Sequence, residues 1–217
     1  MTYRYIRFSR RLEPFESPQL DELARRMGVL SRLNRKQRYF LSRRTYSAFS
    51  FPGGVAFGSW YWNSFEDGER MAIAAHEFSH IRSSDMIRRF WRIAVPSLVV
   101  TLVIMLAVSS MLVYGPSIAI FALPGLALGT VLTFVCSFMI LGSINAGWRR
   151  SMEIRCDIDA SKYTNGEDLI HTLSLWEGAI SEKAKKTIRY RILSRFYPTL
   201  AERTQAIRAA TENNIHP

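Results

Sequence analysis

Apolar and polar residues follow three different rhythms along the chain, and each rhythm predicts a different structure. In "SPQLDELARRMGVL", Leu20, Leu23 and Met27 fall on one face of a 3.6-residue period with acids near its start, which predicts an amphipathic helix over Ser17–Leu30. "RYFLSRRTYSAFSFPGGVAFGSWYWNSF" is rich in aromatics and serine and is broken at Pro52-Gly53-Gly54. Two or three short strands around a turn are expected there, over Arg38–Phe65. A helix is expected next over about residues 65–92, with Ser64 or Asp67 as its cap and acids in its first turn. Farther along, "SMEIRCDIDASKYT" predicts a helix, and Leu169, Leu173, Trp176 and Ile180 predict another. Thr199 and Glu202 form a capping-box pair that opens a last one.

Between these segments the rhythm stops. From Ile93 to Trp148 the chain holds no Asp, Glu, Lys, Arg or His. Ile93–Tyr114 would make about 33 Å of helix, the thickness of a bilayer core. "YGPS" supplies a turn, and Ile118–Trp148 is a second, longer span with Pro124-Gly125 as a kink. A buried hairpin in a soluble protein is the alternative, but an uncharged run of this length is the signature of membrane spans. "MIRRFWR" and "WRRSMEIR" flank the block and the connecting turn is uncharged, which places both flanks and both termini in the cytoplasm. Trp91 and Trp148 fall at that interface, and the expectation is a multi-pass protein of the cell membrane.

Charge and cysteine use narrow the picture further. The net charge is +11, and the first 44 residues hold 12 Lys or Arg against 4 Asp or Glu. On a chain with membrane spans, attraction to anionic lipid headgroups is the simpler reading of that excess than nucleic acid binding. The N-terminus lacks an apolar core of signal-peptide length. With 2 cysteines, Cys136 within the second span and Cys156 after it, neither a disulfide framework nor a cysteine-based zinc module can be built.

The chemistry concentrates in "HEFSH". Residues four apart on a helix share a face, so His76 and His80 can present imidazole nitrogens to one ion. Zinc suits that geometry and keeps a coordination position for water, whose pKa falls toward about 7. Glu77, beside the first histidine, is then placed to act as the general base on that water rather than as a ligand. Two ligands cannot hold a catalytic zinc. Glu66 and Glu69 lie too far along the same helix, whereas Glu153 and Asp157 stand one turn apart in "EIRCD". Glu153 could complete the zinc shell and Asp157 could accept a hydrogen bond from a ligating histidine; a solvated acidic face is the alternative. A hairpin that returns to the same membrane side would bring the two helices together.

"HEFSHIRSSD", followed after the apolar block by "EIRCD", resembles the HtpX-type membrane zinc metallopeptidases, whose relatives include the CAAX prenyl endopeptidase. "RMGVLSRLNRKQRYFLSRRTYSAFSFPGG" is similar to their segment before the zinc helix, and "YPTLAERTQAI" to their C-terminal signature, so the likeness covers most of the chain. The resemblance implies His76, His80 and Glu153 as zinc ligands, Glu77 as catalytic base, and Asp157 as the group orienting a zinc histidine. It also matches Asp85 to an acid that follows the motif, and Arg203 to an arginine near the active site that can stabilise the transition state. Cys156 stands where the family often has alanine, which implies a small buried side chain. Two departures are visible. The sequence before the zinc helix holds no membrane span, as expected of a reduced member. Tyr197 occupies the place of a histidine credited with stabilising the oxyanion, a hydrogen bond that a tyrosine hydroxyl could also donate.

The expected fold is therefore α+β and mostly helical. A zincin-type metallopeptidase domain is built from residues 1–92 and 149–217, with a two-helix transmembrane hairpin inserted at 93–148. The expected activity is zinc-dependent hydrolysis of peptide bonds in membrane or misfolded proteins. An edge strand within Ala48–Trp60 could receive the substrate in extended form, or could simply be a hairpin packing its aromatics inward. Two other functions fit the same residues: a catalytically inactive adaptor that keeps the zinc fold, and a protease specific for lipidated CAAX-type tails.

Overall fold

The computed structural model describes residues 12–43, 47–85, 147–179 and 197–215, together with residue 194 and scattered positions between 87 and 106. The chain divides into two compact units. One joins Met1–Met86 to Arg149–Pro217, and the other is the intervening Ile87–Trp148.

The first unit is mostly helical with a small sheet. Its four strands are β1 (Leu12–Phe15), β2 (Tyr39–Ser42), β3 (Phe49–Phe51) and β4 (Gly54–Gly58), in spatial order β1-β2-β4-β3. β3 and β4 are an antiparallel hairpin, and β4 then runs parallel to β2 with Tyr39 opposite Val55. The hairpin turns at Gly53, whose φ of 84° suits a residue without a side chain. A Cβ on Gly54 would lie 2.7 Å from Phe51 Cζ and 3.0 Å from the Arg38 carbonyl oxygen. β4 is buried at all five positions, as the middle of a covered sheet requires. β1 was not anticipated; it contains Pro14, which an edge strand tolerates.

Helix α1 (Pro18–Arg26) begins at Ser17, whose hydroxyl accepts from the Leu20 amide at 3.3 Å, and buries Leu20, Leu23 and Ala24. It ends before the expected Leu30 because Gly28 turns left-handed (φ 68°) and the Val29 amide reaches back to the Ala24 carbonyl at 2.9 Å. The strand pattern also stops earlier than expected, since Ser59–Ser64 forms a short helix, α2. Trp62 there stacks on Phe57 at 4.5 Å between ring centroids, and Tyr61 meets Phe65 edge-on at 3.9 Å.

Helix α3 (Asp67–Arg82) carries the histidine motif. Its cap is Glu66, neither Ser64 nor Asp67: Glu66 and Glu69 form a reciprocal capping box, the Glu66 amide donating to Glu69 at 2.9 Å. Every residue from Ala72 to Ser79 is buried, so this helix runs through the core instead of covering it. The alanines at 72, 74 and 75 permit close approach on several sides at once. The helix does not run unbroken to residue 92. It stops at Ser83, Ser84 takes a left-handed φ of 55°, and helical positions resume at Asp85. Arg32 stabilises this break by donating to the exposed carbonyls of Ile81 and Arg82 and to the Ser84 hydroxyl.

Residues 149–161 are helical (α4), followed by α5 (Gly166–Ala179) and α6 (Leu200–Ile215). The Thr199–Glu202 capping box is present, with reciprocal amide bonds of 2.7 and 3.3 Å. Leu169 and Leu173 enter the core, whereas Trp176 is 39% exposed and Ile180 lies outside the described residues. α3 is tied to α5 by the Glu69–His171 hydrogen bond and to α4 by Arg82, which donates to Asp159 and Tyr163. The core unites Leu20 and Leu23 of α1, Tyr39 of β2, Phe57 of β4, Phe78 of α3 and Ile207 of α6.

In the second unit the described positions between 91 and 106 are helical, and Val99, Leu102, Val103 and Leu106 are all more than half exposed. Arg92 lies over the Trp148 ring at 4.8 Å, so the two ends of this unit meet. Among the described residues no helix is long and apolar enough to cross a membrane. The expected spans at 93–114 and 118–148 fall mostly outside the described residues, as do the first eleven residues of the basic arm.

Asp21 anchors the sheet to α1 by accepting from Tyr39 Oη at 2.8 Å and Arg38 Nη1 at 2.7 Å. Asp21→Ala leaves the Tyr39 hydroxyl, on a residue 2% exposed, without that partner. The expected loss is about 1–3 kcal/mol, read as a lower denaturation midpoint.

Candidate metal centre

Two helices build the centre. α3 presents His76 and His80 on one face, and α4 presents Glu153, Cys156, Asp157 and Ala160 at the i, i+3, i+4, i+7 spacing of a buried stripe. Where the stripes meet, the His76 and His80 Nε2 atoms are 3.2 Å apart, and Glu153 Oε2 lies 3.3 Å and 3.9 Å from them. The two rings stand at 86° to one another.

The outer nitrogens define which face of each ring is free. His76 Nδ1 lies 2.8 Å from Asp157 Oδ1, and His80 Nδ1 lies 3.0 Å from Asp85 Oδ2. A carboxylate can only accept, so each Nδ1 carries a proton, and in the neutral ring each Nε2 is the lone pair. With neutral rings two lone pairs and a carboxylate oxygen converge, and a positive charge at that point, a proton on His76 Nε2 or a metal ion, removes their repulsion. Four-coordinate zinc, with ligands at about 2.0–2.1 Å, sets ligand atoms about 3.3 Å apart. The spacings of 3.2 and 3.3 Å and the N₂O donor set fit that ion, and the third spacing, 3.9 Å, is longer.

The surroundings are built to hold positive charge. Burial lowers the His76 pKa, but the Asp157 and Glu153 carboxylates outweigh it and raise it to about 10. Burial likewise pushes the Asp157 carboxyl up, and the Arg203 guanidinium and His76 reverse this and hold it below the usual range. Glu153 is lowered against burial by His76. For Asp85, burial is outweighed by His80, Arg155 and Ser83, which bring it down to about 2.

Asp85 reaches His80 only because the helix breaks. On a continuous helix, residue 85 would point about 140° away from residue 80 around the axis. The left-handed Ser84 folds the chain back and puts the carboxylate against the ring.

The structure gathers His76, His80, Glu153, Asp157, Asp85 and Arg203 around one point but treats Tyr197 differently. Arg203 donates from Nε and Nη2 to the two oxygens of Asp157, both at 2.6 Å, and therefore acts on His76 through that carboxylate. Tyr197 is 41% exposed, and its hydroxyl accepts from Arg149 at 3.2 Å. Glu77 is 7% exposed and accepts no hydrogen bond among the described residues. Its charge reaches the buried Tyr61, whose hydroxyl pKa is raised by burial and then by Glu77 and Glu69.

Sequence reasoning missed two neighbours. Cys156 Sγ lies 3.3 Å from His80 Nδ1, and Arg155 Nη2 donates to Asp85 Oδ1 at 2.6 Å. His80, Asp85 and Cys156 also have metal-binding atom types close together. Arg155 already supplies their positive charge, however, and burial holds the thiol protonated. Neither contact had a sequence signal, because both bridge segments some 70 residues apart.

A buried pair of inward histidines on one helix, with a carboxylate from the next, is the arrangement of a metallopeptidase. Residues 14–211 match peptidase family M48, and the chain belongs to that family. Among solved structures it is similar to S. mikatae Ste24p, with a TM-score of 0.60 and 20% identity over 90% of this chain and 51% of that one. The chain thus spans about half the length of that protein, and likeness at this identity is one of fold. No curated protein sequence matches it.

Arg203 and Asp157 are a buried ion pair with side-chain exposures of 10% and 0%. Arg203→Ala strands the Asp157 charge in the interior, and a loss of about 3–5 kcal/mol is expected in an unfolding experiment. Arg208→Ala, which removes an exposed pair with Glu167, leaves stability within about 1 kcal/mol of the original.

Proposed function

We propose that the chain is a membrane-anchored zinc endopeptidase. In this reading His76, His80 and Glu153 bind the metal, Asp157 and Asp85 orient the two histidines, and Glu77 is the general base. The observation that carries it is the convergence of two imidazole nitrogens and a carboxylate oxygen near zinc-ligand spacing, with Glu77, next in sequence to His76, buried and accepting no hydrogen bond among the described residues. When bound, zinc lowers the pKa of a water molecule and polarises the scissile carbonyl. Glu77 takes the proton from the attacking water and delivers it to the departing amine, which leaves as a neutral group. His76 and His80 keep their Nδ1 protons throughout, because Asp157 and Asp85 hold them there.

Substrate would enter in extended form along β3. Among the described residues that strand is the last in the sheet, next to β4, and it packs against α3, the helix that carries Glu77. An added strand would gain main-chain hydrogen bonds whatever its side chains, which suits unfolded segments as substrates. Tyr197 could assist the oxyanion only by leaving Arg149.

Attachment to the membrane through 93–148 is supported by the uncharged sequence, by the exposed Val99, Leu102, Val103 and Leu106, and by the meeting of Arg92 with Trp148. The basic flanks would place the catalytic domain and both termini in the cytoplasm, near anionic headgroups. Membrane proteins and unfolded chains at that surface are the substrates this position favours.

The test is a paired zinc and proteolysis assay on the full chain in detergent, with casein as the unfolded substrate. The wild type should carry about one zinc per chain, and His76→Ala and Glu153→Ala should carry almost none. Glu77→Gln should keep its zinc and lose about 10²–10⁴-fold in rate. Equal turnover by Glu77→Gln would sink the proposed base. Zinc binding with no cleavage of any peptide would make the chain an adaptor instead. Selective cleavage of prenylated over plain peptides would point to CAAX-type processing.

A further inference from the structure

His76 is held by a chain of two groups, Asp157 and then Arg203, both buried. His80 has a matching chain, Asp85 and then Arg155, at 3.0 and 2.6 Å. The two chains are not equivalent. Asp157 sits in the middle of α4, whereas Asp85 stands directly after the left-handed Ser84, at the break that ends α3. Arg203 has a side chain 10% exposed, whereas that of Arg155 is 45% exposed. The His80 side is also the looser one at the metal position, with Nε2 at 3.9 Å from Glu153 Oε2 against 3.3 Å for His76.

We infer that Arg155 is a positioning residue for the metal centre: by gripping Asp85 it fixes the His80 ring against Glu153 and so sets the affinity for zinc. This rests on His76, His80 and Glu153 being the ligands. Arg155 suits the role because it stands two residues from Glu153 on α4 and reaches across to the segment that follows α3. One side chain therefore ties the helix that provides Glu153 to the turn that orients His80. It also lies against the carboxylate of Asp85, which is 4% exposed, as a partner for that buried group. The Cys156 thiol completes the packing, 3.7 Å from Asp85 Oδ2.

A second arginine gives the control. Arg82 forms a similar ion pair from α3 to α4, with Asp159 at 3.2 Å and the same 45% side-chain exposure, but among the described residues its partner touches no proposed ligand. If Arg155 were only a tie between α3 and α4, removing either arginine would have the same consequence.

The experiment measures zinc affinity of the full-length chain in detergent by chelator competition, together with the thermal midpoint of the metal-free protein. Arg155→Met is expected to weaken zinc binding by about tenfold or more. Arg155→Lys should restore most of it, and Arg82→Met should leave the affinity unchanged while lowering the thermal midpoint comparably. Unchanged affinity in Arg155→Met overturns the inference, and so does an equal loss in Arg82→Met. Glu153→Ala separates this from the parent reading: if the wild type binds no zinc, or Glu153→Ala binds it as well as the wild type, the ligand assignment itself fails and the role of Arg155 falls with it.

Discussion

The architecture of this protein depends on one buried carboxylate. Asp157 is fully shielded from solvent and is bound on one side by His76 of α3 and on the other by Arg203 of α6. A lone ionised carboxylate in that position would cost several kcal/mol, so the three helices can pack only when both partners are in place. The same contact holds a proton on His76 Nδ1 and aims its Nε2 at His80 and Glu153. Stability and chemistry are thus set by the same atoms.

Around that contact the fold is arranged to bury a helix whose own sequence is not strongly amphipathic. α3 is covered over Ala72–Ser79, with α1 and the sheet packed on it as well as α5. Small side chains at 72, 74 and 75 let those neighbours approach, and the polar side chains at 76 and 79 bond to α4. Ser79 shows how thoroughly such groups are satisfied, since its hydroxyl bonds both the Ala75 carbonyl and Asp159. Only a rigid helix held on all sides can keep two imidazoles within a few tenths of an ångström of a useful separation.

Much of the candidate centre was legible before any coordinates. The four-residue spacing of His76 and His80 and the one-turn spacing of Glu153 and Asp157 are properties of an α-helix alone. The gap between them was bridged by an expectation, that the uncharged block returns the chain to the membrane side it left. The capping box at Thr199 and the hairpin at Pro52-Gly53 were equally local, and both are present. The cap of α3 was misplaced because Ser64, Glu66 and Asp67 all satisfy the same local preference. The choice was made by Glu69, which both closes the box and meets His171 of α5. The short helix Ser59–Ser64 lay hidden inside a run of aromatics that suits a strand just as well.

What the sequence determined by itself is the set of groups that can bind an ion, because ligand type and helical period are properties of short segments. The tertiary structure decided which atom of each group is free to do so. Asp85 became the partner of His80 through a left-handed serine, and Arg155 and Cys156 joined it from a helix some 70 residues away. Arg203 was turned from a group beside the centre into the counter-ion of Asp157. Orientation of this kind comes from buried charges that must find partners across the fold, and no window of local sequence contains both members of such a pair.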